Sequence, residues 1–130
     1  MASEKPKVLL IDDEKFLLEI YSIKFLKSGF DVYAANSVDD GLAAIKNGYV
    51  PDAILFDITM PEKSGYEFLR GLATMKLPRH CVKVALTNEG QAGELHLMAN
   101  LGTDLHLLKA QFTPAEIVEK VKEAMEKKRG

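Results

Sequence analysis

The chain has 130 residues and a formal net charge of −2, and 47% of its residues are hydrophobic while 28% are charged. That length suits a single domain over residues 1–130 with one hydrophobic core, and the composition excludes a chain that is disordered throughout. The charge balance excludes the strongly basic surface that is typical of nucleic-acid-binding domains.

A strand, a helix and a second strand are predicted at the start of the chain. Lys7 to Ile11 predicts a strand buried on both faces, because the run is apolar and contains β-branched residues. About Lys15 to Ser28 predicts a helix, and Gly29 is placed to end it. Asp31 to Ala35 predicts a second strand, whose more polar sequence suits the edge of a sheet.

The middle of the chain repeats this alternation. Ser37 is a good N-cap for a second helix that Gly48 closes, and Ala53 to Asp57 predicts a third buried strand. Met60-Pro61 interrupts the chain before a third helix, which Pro78 ends. Apolar positions at helical spacing mark the two helices: Val38, Leu42 and Ile45 in the second, and Tyr66, Phe68, Leu69, Leu72 and Met75 in the third.

Two more strands and two more helices are predicted in the rest of the chain. Val82 to Leu86 predicts a fourth strand, and Leu105 to Leu108 predicts a short fifth strand. Thr113 and Glu116 form a capping-box pattern for the last helix, with Pro114 at its first position. Apolar positions mark both helices: Leu95, Met98 and Leu101 in the fourth, before Gly102, and Ile117, Val118, Val121 and Met125 in the fifth.

This alternation of strands and helices predicts an α/β fold. Short connections of this kind require right-handed crossovers, and therefore a parallel sheet with helices on both faces. The strand order 2-1-3-4-5 is one common solution, which the pattern by itself does not fix. Ligands of such sheets bind beyond the carboxyl ends of the strands.

Reactive side chains follow four of the five predicted strands at that edge. Asp12-Asp13 follows the first strand, while Asp57, Thr87 and Lys109 stand at the ends of the third, fourth and fifth. Crowded carboxylates repel unless a cation joins them, and oxygen ligands without His or Cys favour Mg²⁺ or Ca²⁺ over zinc. Each residue alone also suits a cap, a turn or a surface charge. Together they suit phosphoryl transfer, which needs positioning and charge neutralisation around a carboxylate nucleophile.

The same residues resemble the receiver domains of bacterial response regulators, from about Lys5 to Lys127. The length is similar to that of the stand-alone, single-domain chemotaxis type. The resemblance implies a flavodoxin-like (βα)5 fold with the strand order 2-1-3-4-5. Four blocks carry it: Val8-Leu9-Leu10-Ile11-Asp12-Asp13-Glu14, Asp57-Ile58-Thr59-Met60-Pro61 with Gly65, Ala85-Leu86-Thr87, and Lys109 with Phe112-Thr113.

The resemblance also implies a role for each of these polar residues. Asp57 would be the phosphoacceptor, Thr87 would turn toward the phosphoryl group as a switch, and Lys109 would pair with it. The Mg²⁺ ligands would all be oxygens: those of Asp12, Asp13 and Asp57, and the backbone carbonyl of Thr59. Such a protein is a signalling switch rather than an enzyme, since it promotes only its own phosphorylation and dephosphorylation.

Partners follow from the resemblance as well. The phosphodonor would be a phosphohistidine on a sensor histidine kinase or on a histidine phosphotransfer protein. Output would pass to a protein partner through the fourth helix, fifth strand and fifth helix, and not to nucleic acid or a membrane. We expect a cytoplasmic protein, because no segment suits a membrane span or a signal peptide and the single cysteine, Cys81, suits a reducing compartment.

Three positions differ from the usual receiver sequence. Ala110 follows the lysine where receivers have a proline, often after a cis bond, so Lys109–Ala110 is expected to be trans or strained. Asn88 replaces a small residue and could narrow access to Asp57 or give the phosphoryl group another donor. His106 replaces an aromatic residue that moves inward with the threonine. A neutral His106 could do the same as a pH-coupled switch, and an exposed ring without coupling is the alternative.

Other functions stay open on the sequence alone. A degenerate receiver would act as a phosphorylation-independent interaction module, and a Mg²⁺-dependent phosphorylation assay would distinguish it. Multiple turnover of a phosphate monoester would indicate an aspartyl-phosphate hydrolase instead. A flavin-binding protein of the same fold is disfavoured, because the acidic run Asp12-Asp13-Glu14 would repel a phosphate.

Overall fold

A computed structural model describes residues 5–58, 60, 63–87 and 102–129 of the chain. In these ranges the strands form one parallel sheet in the order β2-β1-β3-β4-β5, which confirms the predicted order and places β2 at an edge. The strands are β1 (Lys7–Ile11), β2 (Asp31–Ala35), β3 (Ala53–Asp57), β4 (Val82–Thr87) and β5 (Leu105–Leu108).

Helices cover both faces of this sheet. They are α1 (Lys15–Lys27), α2 (Val38–Lys46), α3 (Gly65–Leu72) and a C-terminal helix (Pro114–Arg129), and a short 3₁₀ turn (Lys109–Gln111) follows β5. The predicted fourth helix, with Leu95, Met98 and Leu101, lies outside the described residues. None of the helices in the described ranges is both long and apolar enough to cross a membrane.

The hydrophobic core lies in two clusters, one on each side of the sheet. On one side Phe25 of α1 and Val118 of the C-terminal helix pack against the strands. On the other side Phe68 of α3 packs against Phe56 of β3, with ring centroids 5.3 Å apart. All five residues of β3 are buried, because this central strand has a neighbour along each edge and a helical layer on each face.

The predicted helix boundaries are set by local side-chain and backbone contacts. Ser37 Oγ accepts a hydrogen bond from the Asp40 backbone N–H at 3.1 Å, as expected for an N-cap. Thr113 and Glu116 make the reciprocal bonds of a capping box at 2.8 and 3.2 Å. Gly29, with a φ of 93°, ends α1 in the left-handed conformation that favours glycine.

The third helix is shorter than the apolar spacing predicted. It ends at Leu72, and Met75 lies in the following turn, although its side chain still packs against the core. Thr74 Oγ1 donates a hydrogen bond to the Gly71 carbonyl at 2.7 Å, and its backbone N–H bonds the same carbonyl at 3.1 Å. These local bonds compete with continuation of the helix, and apolar periodicity does not report them.

Gly65 starts α3 where the chain passes closest to the end of β3. A Cβ at residue 65 would lie 2.9 Å from Ile58 Cα and 3.0 Å from the Asp57 carbonyl oxygen, which are backbone atoms that cannot rotate away. We therefore expect Gly65→Ala to lower the free energy of unfolding by about 1–3 kcal/mol, as overpacking does. Urea unfolding followed by circular dichroism measures the change.

Gly71→Ala is the matched control, because Gly71 also lies in α3. Its Cβ would meet only the side chain of Leu42, 2.8 Å away at Cδ1, which can change rotamer. Alanine is also favoured over glycine inside a helix by about 1 kcal/mol. Gly71→Ala should therefore be near neutral, and an equal loss in both variants would contradict the role given to the Gly65 contact.

Candidate functional site

Two buried aspartates lie side by side at the carboxyl edge of the sheet. Asp57 is the last residue of β3 and is 3% exposed, and Asp12 directly follows β1 and is 2% exposed. Ile11 of β1 pairs with Phe56 of β3. The next residues along the chain, Asp12 and Asp57, are therefore neighbours as well. The parallel register therefore brings together carboxylates that are far apart in the sequence.

A third carboxylate completes an acidic cluster. Asp12, Asp13 and Asp57 each offer an oxygen, and these oxygens all lie within 4.8 Å of one another. Asp13 is exposed, while the other two are buried. The cluster thus has a closed side in the sheet and an open side at Asp13.

Lys109 bridges the two buried members of this cluster. Its Nζ lies 3.0 Å from Asp57 Oδ2 and 3.2 Å from Asp12 Oδ2, and its side chain is 11% exposed. Burial acts to lower the pKa of Lys109, but the charges of Asp57 and Asp12 outweigh it and leave that pKa raised. The lysine is therefore held in its charged form beside the two carboxylates.

Lys109 reaches the cluster without the proline that usually follows it in receivers. The bond between Lys109 and Ala110 is trans, and the two residues start the short 3₁₀ turn after β5. Of the two expected outcomes, a trans bond or a strained one, the structure shows the trans bond. Asn88, the other substitution near the site, lies outside the described residues.

Asp12 has a structural contact in addition to its place in the cluster. Its Oδ1 accepts a hydrogen bond from the Glu14 backbone N–H at 2.9 Å, just before α1 begins. Glu14 is the N-cap of that helix and makes no capping bond with its own side chain. Asp12 therefore does not cap α1 but closes a local turn before it, and this contact coexists with the contact to Lys109 through the other oxygen.

Thr87 ends β4 next to this edge. Asp57 pairs with Leu86 across β3 and β4, so Thr87 lies one residue beyond that pair. Thr87 is 0% exposed, and its Oγ1 has no hydrogen-bond partner within the described residues. A buried hydroxyl without a partner is costly, and it is suited to donate to an acceptor oxygen brought by a ligand.

The donor atoms of the cluster fit Mg²⁺. They are carboxylate oxygens, and in the described part of the chain neither His nor Cys joins the group. Mg²⁺ prefers a few carboxylates together with water and phosphate oxygens. Asp12, Asp13 and Asp57 would hold it, whereas Thr59, the fourth predicted ligand, lies outside the described residues.

The structure does not bring His106 into this cluster. His106 lies half-buried in the middle of β5, and its Nε2 is 2.9 Å from Thr103 Oγ1. Leu107 packs in the α1 side of the core, so alternation along the strand directs His106 to the other face of the sheet.

Two features near the site were missed from the sequence. Tyr21 of α1 is buried, which raises the pKa of its phenol, and the charges of Lys109, Asp12 and Asp57 also act on it. Lys63 Nζ lies 2.8 Å from Asp39 Oδ1, beside a cleft of about 330 Å³ that Asp13 also lines. In the sequence, helical spacing was the only signal at Tyr21, and it does not indicate a contact with the site. The Lys63–Asp39 pair could not be predicted, because it joins two segments that no motif connects.

Comparisons with protein families and with curated proteins indicate the same family. The model of the response regulator receiver domain family matches residues 8–122. The alkaline phosphatase synthesis transcriptional regulatory protein PhoP of Bacillus subtilis is 30% identical over 118 residues, which cover 89% of this chain and 47% of that protein. The phosphate regulon transcriptional regulatory protein PhoB of Escherichia coli is 27% identical, over 92% of this chain and 51% of that protein. The chain thus spans about half the length of these curated relatives.

Solved structures agree with this assignment. A response regulator receiver domain protein from Clostridium thermocellum is 26% identical and superposes with a TM-score of 0.81, covering 95% of this chain and 97% of that one. A CheY-like receiver domain protein from Methanospirillum hungatei, 24% identical, shares the fold with a TM-score of 0.85 over 97% and 98% of the two chains. The chain therefore belongs to the response regulator receiver domain family of two-component systems, in which phosphorylation on an aspartate is characteristic.

Proposed function

We propose that this protein is a Mg²⁺-dependent phosphoacceptor switch that takes a phosphoryl group from a phosphohistidine onto Asp57. The observation that carries the proposal is the cluster itself, in which Asp12, Asp13 and Asp57 offer oxygens within 4.8 Å of one another. Lys109 contacts both buried carboxylates of that cluster. These contacts favour an active receiver over a degenerate one, because the lysine and the carboxylates of this chain lie together although Ala110 replaces the usual proline.

The chemistry at Asp57 is a phosphoryl transfer between two nucleophiles. A carboxylate oxygen of Asp57 forms a bond to phosphorus while the bond from phosphorus to the donor imidazole nitrogen breaks, and that nitrogen keeps the electron pair. The product is an acyl phosphate on Asp57, which pairs with Leu86 at the end of a strand that is paired on both sides up to Phe56. The firmly held strand fixes the position of the acceptor oxygen, which is the main requirement of such a transfer.

The groups around Asp57 are suited to stabilise the negative charge of the phosphoryl group. Lys109 is already in place as a cation beside Asp57, so it can offset the added negative charge. Thr87 Oγ1 is buried and unpartnered among the described residues, so it can donate a hydrogen bond to a phosphoryl oxygen. Mg²⁺, when bound, would neutralise negative charge on the carboxylates and the phosphoryl oxygens.

The partners and setting form part of the same proposal. We propose that residues 1–130 act as one receiver domain, phosphorylated by a sensor histidine kinase or a histidine phosphotransfer protein in the cytoplasm. The free and buried thiol of Cys81 suits that reducing compartment. Output would use the face of β5 and the C-terminal helix together with the predicted fourth helix.

The direct test is incubation of the purified chain with Mg²⁺ and acetyl phosphate as a small phosphodonor. Intact mass should then show one added phosphoryl group, and peptide mapping should place it on Asp57. Continuous release of phosphate from a phosphate monoester over many turnovers would instead indicate an aspartyl-phosphate hydrolase.

His106 gives a pH-dependent prediction. Burial lowers the pKa of His106 from its usual value of 6.5, because the half-buried ring is less able to hold a charge. If phosphorylation draws the ring further inward, the pKa should fall again. An NMR titration of the imidazole with and without beryllofluoride, a phosphoryl mimic, should show the lower pKa in the mimic-bound protein.

The sign of the stability effect follows from the same shift. Below pH 6.5 the unfolded chain binds a proton that folded His106 resists, so the free energy of unfolding falls as pH drops from 6.5 to the folded pKa, and levels off below it. His106→Phe, which cannot titrate, should remove this part of the pH dependence. An imidazole pKa that is the same with and without beryllofluoride would contradict the coupling and leave the uncoupled ring as the correct interpretation.

A further inference from the structure

A large cleft lined by described residues lies at the end of the sheet opposite Asp57. Its volume is about 730 Å³, which is within the range of small-molecule sites, roughly 300–1,000 Å³. It is formed where β1 and β3 begin, at the turn after α1 and along the end of the C-terminal helix. It therefore shares no residue with the acidic cluster.

The charge of this cleft is predominantly positive. Four cationic side chains line it, Lys5, Lys7, Lys122 and Arg129, against the two acids Asp52 and Glu126. In the part of the chain that the structure describes, the side chains of Lys5, Lys7 and Arg129 form no ion pair. Lys122 has only a 3.8 Å contact with Glu119. Among those residues, three cations thus face the cleft without an ion-pair partner.

The carboxylate of Asp52 is already engaged by protein groups. Its Oδ2 accepts a hydrogen bond from the Lys7 backbone N–H at 2.8 Å, and its Oδ1 lies 2.7 Å from His80 Nε2. Burial acts to raise the pKa of Asp52, but the Lys7 N–H and His80 outweigh it and leave that pKa lowered. Asp52 is therefore held mainly by the Lys7 N–H and His80, and the charge of Arg129 acts on it as well. Together with Glu126 it supplies two negative charges against the four cations of the cleft.

Recognition in this cleft falls to side chains rather than to the backbone. The backbone N–H groups of Gly29, Phe30 and Asp31 all donate to carbonyls within the fold, at 3.1, 3.0 and 2.9 Å. Apolar surface lies beside the cations, because Val50 is 52% exposed at the cleft and Pro6 also lines it. A ligand that carries negative charge next to an apolar part would match both kinds of surface.

We propose that this cleft binds a small phosphorylated molecule with an apolar portion, its phosphate held by Lys7 and Arg129 with Lys5 and Lys122. Charge-assisted hydrogen bonds from lysine and arginine to phosphate oxygens supply the polar part of the binding. The apolar portion covers Val50 and Pro6. Such a ligand would join the start of the sheet to the C-terminal helix.

The test uses phenyl phosphate as the probe, with inorganic phosphate and phenol for comparison. A chelator removes divalent ions, so the acidic cluster repels the anions and phosphorylation plays no part. Amide NMR should show shifts at Lys7, Gly29 and Arg129, with phenyl phosphate binding more tightly than inorganic phosphate and phenol not binding. Shifts confined to Asp13, Asp57 and Lys109, or equal binding of phenol, would overturn the proposal.

Paired variants test the cations. Lys7→Gln with Arg129→Gln should weaken phenyl phosphate binding by at least about tenfold, since each removes a charge-assisted hydrogen bond. Lys46→Gln with Lys76→Gln removes the same total charge from residues outside the cleft and should change the affinity by less than about twofold. The same loss in both pairs would show a response to net charge only and would overturn the assignment of the cleft.

Discussion

Asp57→Asn should abolish phosphorylation of the protein, while the wild-type chain gains one phosphoryl group from acetyl phosphate and Mg²⁺. The carboxylate of Asp57 is buried at the end of β3, contacts Lys109 and lies within the cluster of three carboxylates. An amide cannot form the acyl phosphate, because it lacks the anionic oxygen that attacks phosphorus. Intact mass spectrometry after a fixed incubation measures the effect as complete loss of the labelled species.

A second variant shows whether the loss of labelling is specific to Asp57. Asp40→Asn makes the same change at an exposed residue in the first turn of α2, and it should leave labelling at the wild-type level. Circular dichroism should show that both variants remain folded, since asparagine keeps the shape of the aspartate side chain. Labelling of the Asp57→Asn variant at the wild-type rate would show that another residue accepts the phosphoryl group.

Removal of the divalent ion should have an effect of similar size. With three carboxylates offering oxygens within 4.8 Å of one another, a phosphoryl dianion cannot approach until their charge is neutralised. Labelling should therefore stop in the presence of a chelator and return with added Mg²⁺. We expect the ion to be held mainly through Asp13 and Asp57, with Asp12 acting mainly through water.

Asp13→Ala tests this arrangement without disturbing the core. Asp13 is exposed, whereas Asp12 also bonds Glu14 and Lys109. The Mg²⁺ concentration that gives half-maximal labelling should rise by at least about tenfold, as expected when a carboxylate ligand is lost. Labelling at increasing Mg²⁺ gives this value for each variant.

Asp39→Ala is the matched control for a change of charge near the site. Asp39 lines the cleft beside Asp13 and pairs with Lys63, but it is not a member of the carboxylate cluster. Its Mg²⁺ dependence should stay within about twofold of wild type, because a single exposed charge acts weakly through solvent. An equal shift in both alanine variants would mean that Asp13 acts through local charge and not as a ligand.

The sequence was sufficient for the sheet and for most of the site. Strands such as Ala53–Asp57 are apolar up to their last residue, as is typical of a strand buried on both faces. Because parallel strands end at one edge, the residues that follow them had to converge there. Asp12, Asp57 and Lys109 could therefore be placed together before any contact was known.

Other features depend on contacts that leave no mark in the sequence. The end of α3 is set by Thr74 bonding back to Gly71, which is a local choice between two sets of hydrogen bonds. The cleft at the opposite end of the sheet draws its cations from both ends of the chain, since Lys5 and Lys7 lie at one end and Arg129 at the other. Such a surface arises from tertiary packing and has neither spacing nor periodicity to reveal it.

The complete burial of β3 bears on how the protein could transmit a signal. This strand pairs with β1 on one side and β4 on the other, and its two faces lie in the two halves of the core. Opening such a strand requires loss of much of the fold, so its amide protons should be among the slowest to exchange with solvent. The proposed acceptor Asp57 thus lies at the end of a rigid strand, and we expect conformational change in side chains and loops beyond the strand ends.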